Sequence, residues 1–194
     1  MGKQDTKSLL LDHGVRLMLG RGYHHTAIHD VLIAAGVPKG SFYHHFKNKE
    51  EFGLQVMDRY ADDGYAKIDR VLGDKRQPPL VRLQHLFEES RADFERRFCR
   101  DGCLLGNLGQ EVADINETFR NRIKSHFDRW TARIALCLDE AVMSGDLSTD
   151  VDTTMLAGTV LDAYEGALLR MKVVKSTAPI QAFLDVYFKK ALTR

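Results

Sequence analysis

Lys39, Ser41, Tyr43 and His44 bring an ammonium, a hydroxyl, a phenol and an imidazole onto one short stretch of chain, KGSFYHH. Groups of these types donate and accept hydrogen bonds at base edges and phosphate oxygens. A second chemical centre lies in FCRDGCLLGNLGQE, where Cys99 and Cys103 stand four apart with Arg96, Arg97 and Arg100 around them. Positive charge favours thiolate over thiol, and a thiolate reacts with electrophiles and oxidants. Both cysteines are equally suited to serve as small buried apolar fillers. Cys103 follows a glycine at an interruption between helices, where it is expected to be more accessible than a cysteine within a packed stripe, and Cys99 in the same arginine-rich segment is its rival. Cys137 sits between Leu136 and Leu138 within a helical stripe.

Other chemistries find no support. Two cysteines without a partner Cys or His pair do not make a zinc site. Gly102, Gly106 and Gly109 lack the following Lys-Ser/Thr and the preceding strand of a phosphate-cradling loop. Glu111 and Asp114 are close enough to pair, yet acids three apart are common on solvated helices. With no nucleophile, base and acid at catalytic spacing, an enzyme is the minor alternative, a purely protein-binding module another, and no cofactor is implied.

The helices that position these groups follow from period and punctuation. Asp30 to Ala35 reads as a short helix, Gly36-Val37 as a tight corner, and Pro38 to His45 as a second helix with proline in its first turn. Phe42 and Phe46 are one turn apart and face a core, leaving Lys39, Ser41, Tyr43 and His44 on the start and outer side. Gly40 lets that helix approach another surface closely. Residues 5–21 form a helix ahead of this unit, ended by Gly22, and Thr26 is the expected cap of the second helix. Asn48 and Glu51 have capping-box spacing and open a long helix, with Lys47 and Lys49 at an entrance where backbone amides attract anions.

After a break at Gly73 to Pro79, apolar positions return at helical spacing through Leu83, Leu86, Phe87, Phe94 and Phe98. Asp101-Gly102 interrupts this run, and Leu104 to Val112 is short and glycine-rich for a helix. Glu117 to Met143 carries Phe119, Ile123, Phe127, Trp130, Ile134, Leu138 and Val142 in an almost unbroken stripe. Trp130 on that stripe suits a core or a ligand pocket. Asp152 to Val173 and Pro179 to Leu192 complete an all-α chain of about nine helices. At 194 residues and 44% hydrophobic content the chain can bury a real core as one or two domains.

The formal charge of +1 is unevenly spread: residues 1–60 hold eight Lys plus Arg against six Asp plus Glu, and six of the eight histidines. Contact with DNA is therefore expected to be local rather than through a diffuse basic surface. No signal peptide or run of roughly 18 apolar residues is present, and three cysteines make no disulfide framework, so a cytoplasmic location is expected.

The run TAIHDVLIAAGVPKGSFYHHFKNKEEF from Thr26 to Phe52 resembles the helix-turn-helix signature of the TetR family of bacterial repressors, with Val31-Leu32 where that family commonly has Ile-Ala. The resemblance implies a three-helix DNA-binding domain at residues 1–50 and an effector-binding and dimerisation domain at 51–194. It also implies phosphate contacts by Thr26 and Lys49, and a homodimer through the last two helices that reads a palindromic operator as a repressor. GCL at 102–104, the following Gly-Asn-Leu-Gly-Gln-Glu and the run from Gly166 to Lys172 resemble the branch answering to quinones, maleimides, aldehydes and hypochlorite. That resemblance implies Cys103 as sensor with Lys172 beside it. A similar branch answers reversibly to acrylate or its thioester. From the helical stripes, residues 80–173 are expected to surround an effector pocket partly lined by Phe98, Leu104, Phe127, Trp130, Tyr164 and Leu168, although a stripe facing a pocket and one facing a core have the same period.

Overall fold

Apolar residues recurring at three- and four-residue steps fold into nine α-helices among the described residues of the computed structural model, which describes residues 5–192. They are α1 (Thr6–Arg21), α2 (Ile28–Ala35), α3 (Lys39–His45), α4 (Lys49–Leu72), α5 (Pro79–Arg96), α6 (Leu104–Val112), α7 (Glu117–Met143), α8 (Thr153–Val174) and α9 (Ala178–Val186). A π-helical turn, Tyr187–Ala191, follows α9. The last stretch is thus not one helix to Leu192, whose N–H instead reaches the Tyr187 carbonyl at 2.8 Å.

Local chemistry sets the boundaries. The α2–α3 corner turns at Gly36, whose φ of 65° and ψ of 32° are left-handed, and Val37 N–H returns to the Leu32 carbonyl at 3.1 Å. Asn48 Oδ1 accepts the Glu51 N–H at 2.8 Å and opens α4; the Glu51 carboxylate reaches back one residue further than in the usual box, to Lys47 N–H at 2.9 Å. Asp152 caps α8 by accepting from Met155 N–H. Thr26 does not cap α2: its hydroxyl donates to the Gly22 carbonyl at 2.7 Å, and the residue is 1% exposed.

The chain divides into two compact units, and α4 and α7 each contribute to both. The first comprises Met1–Asp63 and Cys103–Lys124. Its buried side chains include Leu10 and Met18 of α1, Val31 and Leu32 of α2, Phe42, Phe46 and Phe52 around α3, Leu104, Leu105 and Leu108 of α6, and Phe119 of α7. The larger residue at Leu32 is accommodated within this core. The second comprises Gly64–Gly102 and Ser125–Arg194. Its core includes an aromatic cluster in which the Phe87 ring lies 4.8 Å from Tyr164 and 4.9 Å from Phe183. Arg82, 3% exposed, donates to the Leu72 carbonyl at the end of α4 and to the Glu140 carboxylate of α7, which also takes Lys75. One buried guanidinium thereby ties α4, α5 and α7 together.

The expected stripe of α5 stops short of Phe98. Phe98, Cys99 and Asp101 have φ of 55°, 52° and 72°, in the left-handed region that side chains resist, followed by Gly102 at 72°. The helix ends at Arg96, and Phe98 is turned out, 79% exposed.

Candidate functional site

Phe42 of α3 and Phe46, the residue that follows that helix, are buried with ring centroids 5.2 Å apart, and each also packs on Phe52. This aromatic seat fixes the rotation of the helix, leaving Lys39, Gly40, Tyr43 and His44 exposed, Ser41 half-buried and Lys47 exposed beyond the helix end. Tyr43 stands 55% exposed with the edge of Phe42 beneath it. A Cβ at Gly40 would meet nothing within 4 Å, so nothing in the free protein requires glycine there. The row combines donors, acceptors and a backbone that another surface can approach closely, which is the chemistry of a groove-reading helix.

Two residues at the rim are drawn inward. Thr26 is buried, with its hydroxyl on Gly22. Lys49 donates to the His24 carbonyl at 3.1 Å and lies 4.6 Å from the centre of the Tyr23 ring, and partial burial lowers its pKa against the pull of Glu111. Burial, then the carboxylates of Glu50 and Glu111, raise the pKa of Tyr23.

Glu111 is the participant that spacing could not reveal. Its carboxylate is not simply solvated but accepts the N–H of Tyr23 at 2.8 Å and of His24 at 2.7 Å. An acid eighty-seven residues away in sequence leaves no local signal for such a role.

Cys103 is the residue preceding α6, in extended conformation, and its carbonyl accepts the Asn107 N–H at 3.0 Å. It is 5% exposed, and Cys99 and Cys137 are buried too, so the expected accessibility of Cys103 does not hold. Close packing of Leu104, Leu105 and Leu108 draws the start of the helix into its unit's core. Two of the arginines expected to flank the cysteines are engaged elsewhere: Arg96 pairs with Asp93, and Arg97 lies 4.6 Å over the Phe94 ring. Burial pushes the Cys137 thiol up to about 11, and its Sγ donates to the Pro79 carbonyl.

The second unit holds the remaining effector candidates. Trp130 is buried, with Phe127 5.8 Å away edge-on and Tyr65 at 6.3 Å; the Tyr65 hydroxyl bonds His126 Nδ1 at 2.7 Å. Tyr164 is hydrogen-bonded to Ser90, Leu168 is buried, and Lys172 is half-buried near the end of α8. Leu104 belongs to the first unit and is fully buried, and Phe98 is exposed. Along the opposite side of α8, Met155, Leu169, Val173 and Val174 are exposed, as is Gly166, whose missing Cβ would meet nothing within 4 Å. Among the described residues no cluster suits a metal ion, and no helix is long and apolar enough to cross a membrane.

Two family models match the chain: "Bacterial regulatory proteins, tetR family" over residues 10–56 and "Tetracyclin repressor-like, C-terminal domain" over residues 79–187. The chain is similar to the HTH-type transcriptional repressor DhaR of a Mycobacterium species, 33% identical over 99% of this chain and 95% of that protein. It is similar to the transcriptional regulator AcuR of Cereibacter sphaeroides, 35% identical over 95% and 84%. Among solved structures, a regulatory protein TetR from Rhodobacter sphaeroides aligns with TM-score 0.89 at 34% identity, covering 94% of this chain and 96% of that one. The reduced form of Escherichia coli NemR aligns with TM-score 0.87 at 26% identity, covering 98% and 99%.

Proposed function

We propose that this chain, which belongs to the TetR family of bacterial regulatory proteins, is a homodimeric repressor that occupies a palindromic operator and is released by a small effector. The observation that carries the DNA-binding reading is the outward row of Lys39, Gly40, Tyr43 and His44 on a helix whose underside is locked by Phe42 and Phe46. Lys39 and Ser41 read base edges or neighbouring phosphates. Tyr43, His44 and Lys47 position the backbone, and Thr26 and Lys49 meet phosphate once their inward bonds are exchanged. The row is short, so one copy touches too few base pairs for a unique site, whereas two copies related by a twofold axis read both halves of a palindrome. The exposed apolar residues of α8, with Val186 on α9, support dimerisation through the last two helices. Protection of DNA flanking the gene, as two half-sites about one helical turn apart, tests this reading; no protected segment overturns it.

The effector we propose is a reactive electrophile or oxidant sensed at Cys103. Its support is likeness to NemR, a repressor whose solved structure is of a reduced form, together with the cysteine's place at the start of α6. The second reading is a reversible small unsaturated acid held near Phe127, Trp130, Tyr164 and Leu168, aromatic and apolar side chains of the second unit. Either effector acts only by preferring a conformation that does not fit the operator. Release by a quinone, an aldehyde or hypochlorite with a change in intact mass supports covalent sensing. Release by acrylate at unchanged mass supports the reversible reading. No release by any of them removes both.

A further inference from the structure

The segment joining α1 to α2 is held from outside the helix-turn-helix. Tyr23 and His24 offer consecutive N–H groups to the two carboxylate oxygens of Glu111, at 2.8 and 2.7 Å, from the last turn of α6. On its other backbone group His24 is gripped by Lys49 of α4, whose ammonium meets the carbonyl at 3.1 Å. The Tyr23 ring closes the arrangement, 4.9 Å from Phe119 of α7 and packed so tightly on α4 that a Cβ at Gly53 would lie 2.7 Å from it. Gly22 shows the same fit: its φ is 83°, and a Cβ there would come within 2.6 Å of Glu111 Oε2. Two charge-assisted bonds to adjacent amides are among the stronger contacts a surface segment can make. The same segment supplies the Gly22 carbonyl that takes the Thr26 hydroxyl, two residues before α2 begins.

We infer that Glu111 is a positioning residue for operator binding: by bridging the Tyr23 and His24 amides it fixes the entry into the helix-turn-helix, so that α3 is presented in one orientation. The inference rests on the DNA-binding reading above. Without the bridge the α1–α2 segment samples several arrangements, and operator affinity falls by the fraction of time spent in the fitting one. Glu111 makes no contact with DNA in this role, so its loss leaves the number of released counterions unchanged.

The test uses the full-length dimer and a duplex selected from random sequence by the wild-type protein. Glu111→Gln presents one carbonyl to two amides and sets an NH2 against one of them. It is expected to weaken binding about tenfold, with the salt dependence of affinity unchanged and with faster hydrogen exchange at the Tyr23 and His24 amides in the free protein. Glu111→Asp, which keeps the charge on a shorter stem, should fall between Gln and wild type. Both variants should melt as dimers within a few degrees of wild type. Unchanged affinity in Glu111→Gln, or weakened affinity without faster exchange at those two amides, overturns the proposal. Tighter binding does so as well, because the carboxylate would then act by repelling DNA. A wild type that retains no duplex removes the DNA-binding reading itself, while the exchange measurement still reports on the bridge.

Discussion

Phe42 and Phe46, four residues apart, pack with tilted rings, 5.2 Å between centroids and both buried, and that pairing turns Tyr43 outward. The aromatic seat is shared with Phe52 at the start of α4, so the orientation of α3 is a property of the core and not of its exposed side chains. Changes on the outer side of α3 should therefore separate binding from folding.

Tyr43→Ala is the direct case. With the ring 55% exposed, its removal should shift stability by no more than about 0.5 kcal/mol, the usual range for a surface change. Operator affinity should fall at least fivefold. Thermal melting together with fluorescence anisotropy on a labelled operator checks both halves, and a large loss of melting temperature with intact affinity would contradict the assignment.

Gly40→Ala separates the two properties with opposite signs. The space around a Cβ at Gly40 is open in the free protein, and alanine is the better helix former by up to ~1 kcal/mol. The variant should melt slightly higher yet bind operator more weakly, because the added methyl stands where the nucleic acid approaches. Equal or better binding by this variant would show that α3 does not approach DNA closely at this position.

Much of this was legible from period and punctuation. The bounds of α7 follow from its aromatic and aliphatic spacing, and the Asn48–Glu51 cap and the Gly36 corner from residue type. What escaped was tertiary. Thr26 has the chemistry of a cap, but its hydroxyl found the carbonyl of Gly22. Phe98 keeps helical spacing, yet the chain turns left-handed there and throws the ring outward. Cys103 is in sequence a break between helices and in space a buried helix start. Glu111 looks like a solvated acid until α1 and α6 come together within their unit.

The ion cluster in the second unit makes stability acid-sensitive. Hydrogen bonds from Lys75 and then Arg82 hold the Glu140 carboxyl below its ordinary value. A carboxylate with a depressed folded pKa contributes stability that is fully present above its unfolded value near 4.5 and is lost as pH falls through the folded value. Glu140→Ala removes that contribution at neutral pH and takes the carboxylate partner from the buried Arg82 guanidinium, which keeps its bond to the Leu72 carbonyl, at a cost of about 3 kcal/mol. Urea unfolding at pH 7 and pH 4 should show a large difference between variant and wild type at the first and a smaller one at the second.

Dimerisation has its own signature. Leu169 and Val173 are exposed one turn apart on α8 in the single chain, beside the open surface at Gly166. Leu169→Lys with Val173→Lys should leave the fold of each chain intact while shifting a micromolar sample from dimer to monomer in sedimentation velocity. Operator affinity should collapse in parallel, since half-sites are then read singly. A double variant that still sediments as a dimer would place the interface elsewhere.

Cys103→Ser should sharpen the question of sensing because its structural cost is small. Cys103 occupies the N-cap position of α6, beside the first amides of that helix. Serine is among the preferred N-cap residues and gains up to ~1 kcal/mol when it bonds such an amide, which offsets the burial of its hydroxyl at a site 5% exposed. The variant should therefore fold, dimerise and bind operator like the wild type. Wild-type protein treated with one equivalent of N-ethylmaleimide per chain should gain one adduct, mapped to Cys103, and lose operator. The slow reaction of a buried thiol should set the rate of release. Cys103→Ser under the same treatment should remain bound, while Cys99→Ser and Cys137→Ser should be released as the wild type is. If Cys103→Ser is released at the wild-type rate, the thiol at the head of α6 is not the sensor.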